Sequence, residues 1–233
     1  MTSPMIKVHA DSNSLLTTAV TDFLELVESD SKNPNQISVV LTGGSLGIGF
    51  LAELSEREVD LSNVSFIFGD ERFVDLDHAD RNEHQGIAAF PDLLKFDLHR
   101  HPSPTESLEQ GKKSLNGALE ASYGPVQASG DVFDLVLLGV GPDGHVASLF
   151  PGHTQQGDWV IAEDASPKPP AQRLSLSYAA LNRSKRVWFL AAGNAKAKVV
   201  GQALSGEGDL PLSKVHGSVE TIWYLDKDLS DAL

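Results

Sequence analysis

The sequence predicts an α/β protein built on a doubly wound, mostly parallel sheet with helices on both faces. Three observations predict it. Short β-branched runs alternate along the chain with longer stretches whose apolar residues recur every three or four positions, the pattern of βαβ units. The strand-like runs are almost continuously apolar, as strands covered on both faces are. No interior linker divides the 233 residues into compositional halves, so residues 1–233 read as a single domain.

The elements follow in order. Met5 to Val8 is a first strand, and Leu16, Val20, Phe23, Leu24 and Val27 mark an amphipathic helix. Ile37 to Leu41 is a compact strand ending in Thr42-Gly43-Gly44-Ser45, with a helix beginning near Leu46. Val64 to Phe68 is the next strand and runs into Gly69-Asp70-Glu71-Arg72. Leu108, Gly111, Leu115 and Leu119 lie on one face of a second long helix. Val132 to Leu138 leads into Gly139-Val140-Gly141-Pro142-Asp143-Gly144-His145. Arg186 to Ala191 precedes Gly193 and a helix near Asn194 to Leu204, and Thr221 to Leu225 is a late strand. Gly152 to Gln172, with its Pro167-Lys168-Pro169-Pro170 run, is the most loop-like stretch, either a flexible excursion or the flank of a site.

Composition excludes whole classes of function. Eighteen Lys and Arg against thirty-two Asp and Glu leave a net charge of −14. That surface repels polyanions, and no basic stripe for nucleic acid is present. No apolar run is long enough to span a membrane, and Met1 to Ala10 shows no export signal. Cysteine is absent, which removes disulfides, thiolate catalysis and cysteine-based metal sites and fits a cytoplasmic address. A small anion still binds wherever the few cations and free backbone N–H groups are gathered.

Four strand ends carry unusual residues: Gly43-Gly44-Ser45, Asp70-Glu71-Arg72, Asp143-Gly144-His145 and Gly193 to Lys196. In open parallel sheets the crevice beyond the carboxyl ends of the strands holds the ligand, so all four groups can face one crevice. Gly43, Gly44 and Ser45 suit a phosphate at a helix N-terminus, although an ordinary strand-to-helix turn reads the same way. Gly139 to Gly144 matches the dinucleotide pattern G-x-G-x-x-G. Pro142, Asp143 and the lack of an acidic strand end about twenty residues on argue against that use. Asp143-Gly144-His145 reads better as acid–base machinery, since imidazole titrates near neutrality and a carboxylate two residues away can orient it. Arg72 suits bidentate recognition of an anion, and Arg173 and Lys196 are further candidate cations. His99 and His101 flank Arg100 without a third metal ligand and are expected in a solvated loop.

Together these segments resemble the 6-phosphogluconolactonase family, within the wider glucosamine/galactosamine-6-phosphate isomerase superfamily. The likeness rests on Leu41 to Ser45, Phe68 to Val74, Gly139 to Gly152, Pro169-Pro170 with Arg173 to Leu176, and Gly193 with Lys196-Ala197, and it spans nearly the whole chain in order. Val146 stands where the family more often has Thr, and Asn82-Glu83-His84 falls in a loop without clear correspondence. The resemblance implies a modified Rossmann-like sheet and hydrolysis of 6-phospho-D-glucono-1,5-lactone with no cofactor and no metal. It implies His145 as general base, with Asp143 and Asp70 orienting it or binding sugar hydroxyls. Gly43, Gly44, Ser45, Arg173 and Lys196 would hold the phosphate, with Arg72 contacting the anionic substrate or holding developing oxyanion charge. The implied partner is a small sugar-phosphate lactone, with no nucleic acid and no membrane; a monomer is favoured. A glucosamine-6-phosphate deaminase-like isomerase, with Asp70 as base, and a non-catalytic sugar-phosphate sensor remain the alternatives.

Overall fold

The computed structural model describes residues 4–30, 36–153 and 157–233. In chain order the elements are β1 (Met5–His9), α1 (Ser12–Asp30), β2 (Ile37–Leu41), α2 (Gly44–Ser55), β3 (Val64–Phe68), β4 (Asp70–Arg72), α3 (Asn82–Ala89), β5 (Asp97–His99) and α4 (Leu108–Tyr123). Then come β6 (Phe133–Gly139), β7 (Val160–Glu163), β8 (Arg173–Leu176), α5 (Tyr178–Leu181), β9 (Ser184–Ala191), α6 (Ala197–Leu204), β10 (Glu220–Asp226) and α7 (Lys227–Ser230).

Seven strands form one sheet in the order β1-β10-β9-β6-β2-β3-β5, all parallel. Alternation along each strand divides the core in two. Val40, Ile67, Val136 and Phe189 point into one cluster, which α4 and α6 cover. Val39, Phe66, Leu135 and Trp188 point into the other, beneath α1 and α2. This is the doubly wound arrangement, and it explains why the strands read as apolar without a break.

A second sheet of three antiparallel strands, β4-β8-β7, packs on the first of these faces. It corrects the expectation of a loop from Gly152 to Gln172, because Val160–Glu163 is a strand. Four residues are too few to show a period, and β7 exists because β8 pairs with it. Residues 154–156 of that stretch lie outside the described residues. Gly69 joins the two sheets. Its N–H donates to Leu41 O of the large sheet at 2.8 Å, and its carbonyl accepts from Leu176 N of the small one at 2.8 Å.

Two further expectations are corrected. Asn82-Glu83-His84 opens α3 rather than lying in a loop. No local capping residue announces that helix: the Glu71 carboxylate, from β4, accepts from the backbone N–H groups of Asn82 at 2.7 Å and Glu83 at 2.8 Å. His101 is buried rather than solvated, with its Nε2 at 2.7 Å from Phe68 O.

Candidate functional site

β2 and β6 are neighbours at the middle of the sheet, where the winding reverses: β3 and β5 lie on one side, β9 and β10 on the other. Their direct pairing covers only Val39–Leu135 and Val40–Val136. Beyond it the strand ends are tied by a side chain, Thr42 Oγ1 accepting from Gly139 N at 3.1 Å. The crevice that opens there is a cleft of about 330 Å³, the place where doubly wound sheets bind ligands. Gly43, Gly44 and Ser45, Asp70 and Arg72, His145, Arg173 and Lys196 all line it. Asp143 stands directly behind His145.

At the first wall, Gly43 is the N-cap of α2 and no side chain caps that helix. The helix starts at Gly44, two residues before the expected Leu46, so Gly44 and Ser45 belong to its first turn. Their N–H groups and the positive end of the helix dipole favour an anion.

At the second wall, the Asp143 carboxylate is hydrogen-bonded to His145 Nδ1. That contact selects the tautomer whose Nε2 carries the lone pair. The imidazole packs on Phe150 with centroids 4.8 Å apart. The loop closes through Gly141 N donating to His145 O at 2.9 Å. Gly141 itself leaves room for the pair, since a Cβ there would lie 2.0 Å from His145 Nδ1. Burial pulls the His145 pKa below its ordinary 6.5, against the opposing pull of Asp143. The ring is therefore neutral at pH 7 and competent to accept a proton. Burial pushes Asp143 upward, but the bonds and charge of His145 outweigh it and hold the carboxylate below its usual value. The segment after Gly139-Val140-Gly141-Pro142-Asp143-Gly144 forms turns rather than a helix, so these glycines shape the His145 loop and present no dinucleotide site.

At the third wall, Asp70 Oδ2 accepts from Ser148 Oγ at 2.6 Å and lies 4.0 Å from Arg173 Nη1. Ser148 is fully buried and committed to that bond, which leaves it no role as a nucleophile. Asn82 Nδ2 donates to Asp70 O at 2.8 Å. Behind them lies a buried polar network that the sequence reading missed. Glu83 accepts from Arg81 Nη2 at 3.0 Å, Arg100 Nε at 3.2 Å and His101 N at 2.6 Å. Burial pushes the Glu71 carboxyl up to about 7, despite the backbone N–H groups that favour its charged form. The network fixes β4 and α3, and with them Asp70, Arg72 and Asn82.

Four cations line the cleft of this acidic protein: Arg72, Lys168, Arg173 and Lys196. Lys196 ends a short 3₁₀ turn (Asn194–Lys196) and is the N-cap of α6, which starts at Ala197, about a turn later than the helix predicted from near Asn194. Burial lowers its pKa, Asp226 opposes that, and the charge of Lys168 adds to the lowering. Arg173 is buried at the start of β8. Lys168 and Asn82 are cleft residues that sequence reasoning passed over. The signal for Lys168 was proximity, five residues before Arg173; Asn82 had none, because only the structure shows that it opens the helix packed on β4. Among the described residues no cluster of His, Asp and Glu fit to hold a metal is present, and no helix is long and apolar enough to cross a membrane.

A family model described as glucosamine-6-phosphate isomerases/6-phosphogluconolactonase matches residues 10–223. The chain is 33% identical to the 6-phosphogluconolactonase of Mycobacterium leprae, over 97% of each chain. It is 34% identical to that of Streptomyces coelicolor, over 99% of this chain and 95% of the relative. The crystal structure of 6-phosphogluconolactonase from Thermotoga maritima superposes with a TM-score of 0.86 at 27% identity, covering 96% of this chain and all of the other. A monomeric glucosamine-6-phosphate deaminase shares the fold at 19% identity, with a TM-score of 0.77.

Proposed function

The chain belongs to the glucosamine-6-phosphate isomerase/6-phosphogluconolactonase family, and from that premise we propose that it hydrolyses 6-phospho-D-glucono-1,5-lactone to 6-phospho-D-gluconate in the oxidative pentose phosphate pathway. The observation that carries this reading is that an Asp-backed neutral imidazole and an uncapped, cation-flanked helix N-terminus open into one cleft.

In this reading the phosphate sits on Gly43, Gly44 and Ser45 with Lys196 and Arg173 beside it. His145 Nε2 takes a proton from water, whose oxygen attacks the lactone carbonyl carbon. Arg72 holds the negative charge that develops on the carbonyl oxygen. When the tetrahedral intermediate collapses, the bond from the carbonyl carbon to the ring oxygen breaks. The imidazolium, stabilised by Asp143, returns the proton to that departing oxygen. Asp70 holds Ser148 and the Arg173 side of the cleft. Gripping the phosphate positions the carbonyl, so remote binding energy serves the chemical step. The scheme calls on no metal or organic cofactor. It operates in a monomer of one domain, in the cytoplasm.

The test is to supply the protein with the lactone and, separately, with glucosamine 6-phosphate. Acid release above the spontaneous background is expected from the first, and no ammonia from the second. His145→Ala should lower the enzymatic rate on the order of 10²–10⁴-fold while 6-phosphogluconate still binds. Near-normal turnover by that variant, or ammonia release by the wild type, would overturn the proposal.

A further inference from the structure

Arg173 is the cation that the family pattern offers for the phosphate, yet most of its guanidinium is already engaged. Its Nε donates to Pro170 O at 3.1 Å, and its Nη2 donates to Lys168 O at 2.9 Å and approaches Pro169 O at 3.5 Å. The group also lies over the Phe150 ring, 5.9 Å from its centroid. A planar fork bonded to consecutive main-chain carbonyls fixes the path of that segment. The start of the segment is fixed as well. Glu163, at the end of β7, accepts from Ala165 N at 2.7 Å and is held by His153 at 2.7 Å. A loop pinned at both ends therefore runs past the mouth of the cleft, and Lys168 is the charged residue it carries there.

Lys168 and Lys196 line the same cleft. Neither ammonium is in an ion pair among the described residues, although carboxylates outnumber cations across the chain as a whole. Lys168 opposes protonation of both Lys196 and His145. Two ammonium groups lining one crevice repel, and an anion relieves that repulsion.

We infer that Lys168 is a phosphate-binding residue, held over the cleft by the main-chain bonds of Arg173, and that it closes with Lys196 on the phosphoryl group of the substrate. The inference rests on the lactonase reading of the site. It makes Arg173 a positioning residue, acting on the phosphate chiefly through the loop.

The experiment measures 6-phosphogluconate and inorganic phosphate binding by calorimetry in the wild type, Lys168→Met, Arg173→Lys and the double variant. Lys168 is exposed, so its removal leaves the fold intact. Lys168→Met should weaken both ligands about tenfold, the worth of one charge-assisted hydrogen bond. It should also move the acid limb of the activity profile to higher pH, because a cation that opposes protonation of His145 is gone. Arg173→Lys keeps the charge but loses the carbonyl fork; it should weaken binding in the wild type and cost little more once Lys168 is absent. Unchanged phosphate affinity in Lys168→Met overturns the inference, as does a loss confined to 6-phosphogluconate. Additive losses in the double variant overturn the positioning role of Arg173. A wild type that does not bind 6-phosphogluconate would instead sink the lactonase reading.

Discussion

Gly141→Ala tests whether the proposed His145–Asp143 pair depends on the room left for it. The added Cβ would lie 2.0 Å from His145 Nδ1, 2.1 Å from His145 Cε1 and 2.7 Å from Asp143 Oδ1. Carbon and nitrogen pack no closer than about 3.4 Å without cost, so the ring has to move on the order of 1.4 Å or the loop has to open. Retreat is blocked by Phe150, centred 4.8 Å from the imidazole, and by the bond from Gly141 N to His145 O at 2.9 Å. A displacement of about 1 Å costs on the order of 10²-fold in rate, so this methyl group should reduce kcat by about 10²-fold or more. The proposed phosphate-binding residues at the start of α2, before α6 and around Arg173 lie outside this loop, so 6-phosphogluconate affinity should stay within about twofold. The assay is initial-rate acid release with the spontaneous hydrolysis subtracted, paired with calorimetric titration of the product. A variant with kcat within threefold of wild type would refute the claim that the ring must occupy this position.

Asp143→Asn removes the carboxylate that raises the His145 pKa against burial. The acid limb of kcat/KM should move to lower pH while kcat falls on the order of 10²-fold, because the amide no longer enforces the reactive tautomer; an unmoved limb would show that the pair is not coupled. Lys196→Ala should chiefly weaken binding, and unchanged affinity for 6-phosphogluconate would remove it from the phosphate site. Burial raises the Glu71 carboxyl to about 7 in the folded protein, above its ordinary 4.5, so the native state holds its proton more tightly. Its contribution to stability is present below about pH 4.5 and is lost as pH rises towards 7. Urea unfolding of wild type and Glu71→Gln across that window should therefore diverge by up to about 1.4 kcal/mol per pH unit, the wild type declining faster with pH; parallel curves would refute it.

The parts legible in the chain were those whose cause is local. The β2, β3, β6, β9 and β10 strands announce themselves because a strand covered on both faces must be apolar at every position. The residues that follow β2, β6 and β9 stand out because a sheet interior tolerates neither glycine turns nor charges, so Gly43, His145 and Lys196 mark strand ends. The illegible parts depend on partners far along the chain. α3 starts where Glu71 reaches across eleven residues to cap it, and no residue at its own N-terminus signals that. β7 is four residues long and gains its structure from β8. His101 looked like a loop histidine, because only the fold places Phe68 O and Glu83 against it.

Pattern and residue chemistry alone determined the α/β class, a crevice beyond the strand ends and the pairing of His145 with Asp143 as an acid–base candidate, since periodicity and side-chain type are properties of short segments. Tertiary structure decided which cations face that crevice, what each is bonded to and how far His145 is desolvated. Those depend on distances between segments a hundred residues apart, and such distances exist only once both cores have packed.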